Sequence, residues 1–160
     1  MHYSRTPSER WLARFITTAI VSPLIFLGCS NLNPTSVPPT TVINGTSTMA
    51  VNPSNNRTQY SFTSSGRNYG RLYLVLSPGG AVVYFEAYGI AVGSGTLAPE
   101  SMPNSTSPVI PGQSYFIITD TAPHYGRIAV TAVSANSATQ TTTVTFNWTV
   151  QTVAGERRLE

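Results

Sequence analysis

The chain has 160 residues, of which nine are arginine, none is lysine and six are acidic, so its net charge is +3. Three of the arginines and one glutamate lie before Gly28, and residues 29–160 alone carry a net charge of +1. This near-neutral charge excludes the strongly basic surface of nucleic-acid-binding domains, and the length allows one domain. The single cysteine excludes an internal disulfide bond, so the fold depends on its hydrophobic core.

The N-terminal residues have the layout of a secretory signal. Three arginines precede an apolar run at residues 15–27, and the small residue Gly28 and then Cys29 follow it. This order of basic, apolar and small residues is typical of a cleaved signal peptide. The run is interrupted by Pro23 and is shorter than the roughly 20 apolar residues needed to cross a bilayer. A membrane-spanning helix is therefore the weaker alternative.

The four residues at positions 26–29, Phe-Leu-Gly-Cys, resemble the lipobox of bacterial lipoproteins. The resemblance implies that the chain is cut between Gly28 and Cys29, that the Cys29 thiol receives a diacylglyceryl group, and that the new amine is acylated. Ser30 stands where enterobacterial lipoproteins of the inner membrane tend to have aspartate. The resemblance therefore implies a lipid-anchored protein of the bacterial cell envelope, and Ser30 favours the outer membrane over the inner membrane.

Residues 29–40 follow the predicted cleavage site and have no hydrophobic periodicity. Their sequence is rich in proline, serine, threonine and asparagine. This composition predicts a semi-extended tether between the acylated Cys29 and a folded domain. The predicted organisation is a signal peptide at 1–28, a tether at 29–40, a β-domain at 41–153 and a polar tail at 154–160.

From Thr41 onward, short runs of β-branched and aromatic residues are separated by Gly, Pro and Asn, which predicts strands joined by turns. The predicted strands are 41–51 with an interruption at Gly45, 58–64, 71–77, 81–87, 113–119, 127–134 and 141–152. The Pro78-Gly79-Gly80 sequence suits a hairpin turn. In the last strand, alternation places Val144, Phe146, Trp148 and Val150 inward. Residues 88–112 are predicted to be the largest irregular stretch, with weak strand candidates at 90–92 and 108–110.

Seven to nine short strands without a convincing helix predict an all-β fold, a single antiparallel β-sandwich of the Ig-like or jelly-roll-like kind. A small barrel is the alternative. The segments Tyr60-Ser61-Phe62 and Gly112-Gln113-Ser114-Tyr115-Phe116 resemble the bacterial pre-peptidase C-terminal type of β-sandwich. The acidic residues often found in that family's middle strands are missing here, so only the fold is carried over from this resemblance.

Catalytic chemistry has few residues available to it. His124 is the one histidine after the signal segment and follows Asp120 by four positions, so a hydrolase with a nucleophilic triad would have to use this turn. A glycosidase would need two of Glu86, Glu100 and Asp120 to converge, which their spacing does not favour. The sequence predicts no catalytic residue, no metal site and no cofactor, and the hydrolase remains an alternative.

Two groups of side chains are candidates for a binding surface. Arg57, Arg67 and Arg71 have no acidic residue between positions 30 and 85 to balance them. Tyr69, Tyr88 and Tyr125 lie at predicted strand ends or turns, where aromatic rings are exposed and can stack on a sugar or a protein. The expected function is a non-catalytic binding or structural module, held to membrane lipid by Cys29, with an envelope protein or glycan as partner. An accessory subunit of an envelope or secretion assembly is the alternative.

Overall fold

The computed structural model describes residues 41–160, which form eight antiparallel strands and no helix. The strands are β1 (Val42–Val51), β2 (Arg57–Ser64), β3 (Arg67–Leu76), β4 (Val83–Val92), β5 (Asn104–Pro108), β6 (Ser114–Ile118), β7 (Tyr125–Asn136) and β8 (Thr141–Gln151). The predicted all-β antiparallel class is confirmed. No helix within residues 41–160 has the length and hydropathy required to span a membrane. The predicted signal peptide, the Gly28–Cys29 cleavage and lipidation site, and the tether lie outside the described residues.

The eight strands belong to one sheet, in the order β1-β8-β7-β6-β4-β3-β2, with β5 paired to β4. Strand β4 joins the two halves of the sheet. Its first part pairs with β3, at Tyr73↔Glu86, and its last part pairs with β6, at Ile90↔Ile117. The register against β5 shifts between Glu86 and Ile90, so β4 bends where it changes partner.

The two ends of the sheet come together where β1 meets β2. The backbone groups of Asn52 and Asn55 exchange two hydrogen bonds of 3.1 Å at the turn between them. Nearby, Thr58 Oγ1 donates to Ala50 O over 2.6 Å. The sheet is thereby nearly closed into a barrel-like sandwich, and its unpaired strand edges are brought against each other.

Aromatic rings fill the interior at this seam. The Phe62 ring lies 5.2 Å from Trp148 and 5.2 Å from Tyr60, measured between centroids, both in edge-to-face geometry. The inward face predicted for the last strand is confirmed, because β8 contributes Val144, Phe146, Trp148 and Val150 to the buried core. Strand β3 contributes Leu72, Leu74 and Leu76. The alternation of side chains along each strand therefore builds the core as the sequence pattern indicates.

Strand β1 runs without the predicted interruption at Gly45. Gly45 lies opposite Trp148, and a Cβ atom at Gly45 would lie 2.8 Å from Trp148 Cζ2. The glycine therefore makes room for the indole ring and does not break the strand. The hairpin predicted at Pro78-Gly79-Gly80 is present, and both glycines have positive φ angles, which glycine adopts at no steric cost.

The irregular stretch is shorter than predicted. Residues 88–92 complete β4, and β5 occupies Asn104–Pro108, so the connection between them is 93–103. The sequence missed β5 because its five residues, NSTSP, include no hydrophobic side chain to give a strand pattern.

The predicted polar tail at 154–160 packs against the domain. Ala98 N donates to Arg157 O and Leu159 N donates to Thr96 O, so the last residues pair with the 93–103 connection. The side chain of Leu159 is 3% exposed. Together with Ala98, Met102 and Phe116 it forms a second apolar cluster outside the main core. The folded domain therefore extends past the predicted boundary at 153.

Candidate functional site

Five side chains on the outer face of β2, β3 and β4 surround a shallow cleft of about 270 Å³. We call this the arginine–tyrosine cleft. Its outward side chains are those of Arg57, Arg71, Tyr73, Glu86 and Tyr88, and Ala87 also lines it. Cross-strand pairing places the members of neighbouring strands on the same face. The residues between them, such as Leu72 and Leu74, point into the core. Strand alternation thus separates an apolar inner face from a charged and aromatic outer face.

Arg57 is held by two partners in the cleft. Its Nη2 lies 2.8 Å from Glu86 Oε1, and its guanidinium carbon lies 3.7 Å from the centre of the Tyr73 ring. The ion pair is half exposed and contributes little to stability by itself. The Tyr73 ring attracts the guanidinium that lies over it, and the charge of Arg57 is compensated by Glu86.

Arg71 has no carboxylate partner among the described residues. Its Nη1 donates to the Tyr73 hydroxyl over 3.1 Å. The pKa of the Arg71 guanidinium is raised, mainly because of this hydrogen bond. An arginine side chain has five N–H donors, so most of those on Arg71 remain available at the surface. The cleft therefore contains one compensated and one uncompensated positive charge.

Tyr88 lies at the bend of β4, next to the point where the strand changes its partner. The residue is 53% exposed. Strand alternation points Tyr88 into solvent while Ala87 and Gly89 on either side are buried, and the register of β4 against β5 shifts in this stretch. Gly89 has no room for a side chain, since a Cβ atom there would lie 2.9 Å from Ile118 Cδ1. The exposed ring and Arg71 line the same cleft.

The structure brings together three of the six residues predicted for a binding surface: Arg57, Arg71 and Tyr88. Arg67 is exposed at the turn between β2 and β3 and does not line the cleft. The Tyr69 ring packs edge-on against His124 at 5.6 Å between centroids, and Tyr125 is half buried against the second apolar cluster. Tyr69 and Tyr125 are therefore packing residues in a different part of the domain.

Sequence analysis missed Tyr73 and Glu86 as members of the cleft. The alternation in Arg71-Leu72-Tyr73-Leu74 already places Tyr73 on the same face as Arg71. For Glu86, by contrast, the contact with Arg57 depends on the pairing of three strands, which the sequence does not specify.

The Asp120–His124 turn has the local geometry that a general base requires. His124 Nδ1 lies 2.9 Å from Asp120 Oδ2, and the backbone N–H of His124 donates to Asp120 Oδ1 over 3.1 Å. Among the hydrogen bonds within residues 41–160, none joins His124 Nε2 to a hydroxyl group. Thr119 closes the base of the turn, because its hydroxyl contacts both Tyr69 O and His124 O. These contacts make the turn a junction between β3 and β6.

A second cleft, of about 660 Å³, lies at the turns that join β1 to β2, β3 to β4 and β7 to β8. Its lining residues are all uncharged and include Asn56, Ser77, Asn136 and Gln140. This cleft was not predicted from the sequence, because three separate turns form it.

Neither cleft resembles a metal centre. In the part of the chain that the structure describes, no three His, Cys, Asp or Glu side chains are arranged to hold a metal ion. No family model, curated protein or solved structure matches the chain. The function of the site must therefore follow from the chemistry of its own residues.

Proposed function

We propose that the protein is a lipid-anchored module of the bacterial cell envelope that binds an anionic ligand in the arginine–tyrosine cleft and has no catalytic role. The observation that carries the proposal is the exposed guanidinium of Arg71, which has no carboxylate partner in residues 41–160 and lies beside the exposed ring of Tyr88. A planar guanidinium with free donors is suited to a carboxylate or phosphate group. The function of Arg57 is to hold Tyr73 and Glu86 in place.

The anchor rests on residues 26–29 and on the energetics of acyl chains. Each methylene buried in a bilayer contributes about 0.8 kcal/mol, so one chain gives marginal binding and two or three give stable attachment. An acylated Cys29 followed by the polar residues 30–40 would keep the domain at the membrane surface. This arrangement would present the cleft to polymers of the envelope.

The anchor is tested on protein extracted from bacterial membranes. The intact mass should equal that of residues 29–160 plus acyl groups, and the Cys29→Ala variant should lose its membrane association. An unprocessed mass, or membrane association that the substitution leaves unchanged, would overturn the anchor.

The binding role is tested separately, on immobilised anionic and neutral polymers isolated from bacterial envelopes. The detergent-solubilised full chain should be retained by anionic polymers and should elute as the salt concentration rises, because exposed charges are screened by salt. Arg71→Gln should weaken retention and Arg67→Gln should not. Equal retention of all three proteins would contradict a role for the cleft.

A further inference from the structure

We propose that the ligand of the arginine–tyrosine cleft is a saccharide that carries a carboxylate or a phosphate, with the anion on Arg71 and the sugar ring on Tyr88. This inference rests on the proposed function, since it names the ligand of the same cleft. It goes beyond anion binding because it assigns a separate task to each side chain.

Arg71, and not Arg57, is the residue that contacts the anion. The positive charge of Arg57 is compensated by Glu86 Oε1 at 2.8 Å, and one face of its guanidinium is covered by Tyr73. An incoming carboxylate would have to displace Glu86 to pair with Arg57. Arg71 uses one donor for the Tyr73 hydroxyl, and its other donors face solvent. A carboxylate or phosphate can therefore bind it without breaking an existing ion pair.

Tyr88 supplies the contact that distinguishes a saccharide from a free anion. Its ring is 53% exposed, and no hydrogen bond within residues 41–160 involves its hydroxyl. An exposed aromatic ring offers a flat apolar surface of the kind that packs against the C–H groups of a sugar ring. Because the ring lies in the same cleft as Arg71, one ligand can contact both.

Glu86 adds an acceptor that suits a hydroxylated ligand. Its Oε1 binds Arg57, its side chain is 34% exposed, and its second oxygen has no hydrogen-bond partner among the described residues. A sugar hydroxyl can donate to that oxygen. A second anionic group placed there would be repelled, which favours a ligand with one negative charge near a neutral, hydroxyl-bearing part.

The size and charge of the cleft limit the ligand further. A volume of about 270 Å³ is just below the usual range for ligand pockets, so the cleft accommodates only a small unit, such as one sugar residue of a chain. A single uncompensated arginine does not follow the regularly spaced charges of a nucleic acid backbone. An acidic peptide could supply the carboxylate but would gain less from the flat ring of Tyr88.

The experiment compares four probes on the detergent-solubilised full chain by isothermal titration. The probes are an oligosaccharide with a single uronic acid residue, an oligosaccharide with a single phosphate group, a neutral oligosaccharide of the same length and a short polyglutamate. We expect one or both of the anionic saccharides to bind at least about tenfold more tightly than the neutral saccharide and polyglutamate. The stronger of the two anionic saccharides identifies whether the group is a carboxylate or a phosphate.

Matched variants test whether Arg71 binds the anion and whether Tyr88 packs against the sugar ring. Arg71→Gln should reduce affinity about tenfold or more, and Arg67→Gln, which changes charge equally outside the cleft, should leave it unchanged. Tyr88→Ala should reduce affinity about threefold to tenfold, whereas Tyr88→Phe keeps the ring and should bind like the wild type. A variant that loses affinity while keeping the wild-type circular dichroism spectrum has lost a contact and not its fold.

The outcomes separate this inference from the proposed function. If polyglutamate binds as tightly as the anionic saccharides, or if Tyr88→Ala has no effect, the cleft binds anions but the saccharide assignment is wrong. If the neutral saccharide binds equally well, the role of Arg71 is wrong. If none of the four probes binds, the saccharide assignment is wrong, and if envelope polymers are not retained either, the proposed function falls with it.

Discussion

Tyr115 shows at the residue scale how one polar group within the core can fix two segments. The residue is fully buried and its ring packs edge-to-face against Phe85. Its hydroxyl donates to Pro108 O over 2.7 Å and accepts from Ile110 N over 3.0 Å. The hydroxyl thus satisfies the backbone at the end of β5, where proline residues limit further strand pairing.

The burial of Tyr115 predicts a loss of stability at high pH. Burial raises the pKa of its phenol above the ordinary value of about 10, because the charged form would lose its hydration. Below pH 10 the phenol is neutral in both the folded and the unfolded chain, so its full contribution to the free energy of unfolding is present. As the pH rises above 10, the unfolded chain releases the proton while the folded chain retains it, so folding becomes less favourable.

The measurement is the urea midpoint of the wild type and of Tyr115→Phe at pH 8 and at pH 11. At pH 8 the variant should be less stable by about 1–3 kcal/mol, because two backbone groups lose their partner. At pH 11 the difference between the two proteins should shrink. The exposed tyrosines are common to both proteins and cancel in the comparison. A difference that is the same at both pH values would contradict the prediction.

At the scale of single elements, the last residues of the chain act as a cover for one outer face of the sheet. Phe116 of β6 points away from the main core and would be exposed if the sheet ended there. The 93–103 connection and the C-terminal residues cover it, with Leu159 and Met102 in contact in one cluster. Gln151 strengthens this arrangement, since its Nε2 donates to Arg158 O over 2.8 Å.

Leu159→Ala should therefore lower the free energy of unfolding by about 2 kcal/mol or more, the cost of a cavity at a buried leucine. Leu97→Ala is the matched control. Leu97 pairs with Arg158, the neighbour of Leu159, but Leu97 itself is 60% exposed. That control should change stability by less than about 0.5 kcal/mol. Chemical denaturation of both variants provides the comparison. Equal effects of the two substitutions would show that residue 159 is not buried in solution.

The whole domain is one curved sheet, and its strands differ in whether they are paired on one side or on both. We therefore expect the free energy of local opening to differ between strands. Strands β1 and β2 meet at the seam, whereas β5 has a strand partner only on its β4 side within residues 41–160. Strand β8 lies between β1 and β7 and carries four buried core side chains. Strands with pairing on both sides and buried contacts open only by global unfolding, and exposed edges open locally.

Amide hydrogen exchange measured by NMR should follow this order. The amides of residues 144–150 in β8 should exchange most slowly, and those of residues 104–107 in β5 should exchange much faster. The turns at residues 137–140 and 65–66 serve as the fast reference. Protection of β5 equal to that of β8 would mean that its outer edge is covered, for example by a second molecule.

The sequence alone determined where most strands lie and which of their faces point inward, because alternation is a local property of a strand and hydrophobic residues must be buried. Residues 26–29 resemble a lipobox, and the anchor at Cys29 remains a prediction from the sequence. Contacts between distant residues could only be decided by the tertiary structure. In β1, Gly45 makes room for Trp148, so the strand continues without a break. Strand β4 bends where it changes partner between the two halves of the sheet, and Leu159 joins Phe116 in the second apolar cluster. Such contacts also bring Arg57 to Glu86 across three strands, and leave Arg71 as the arginine of the cleft that has no carboxylate partner within residues 41–160.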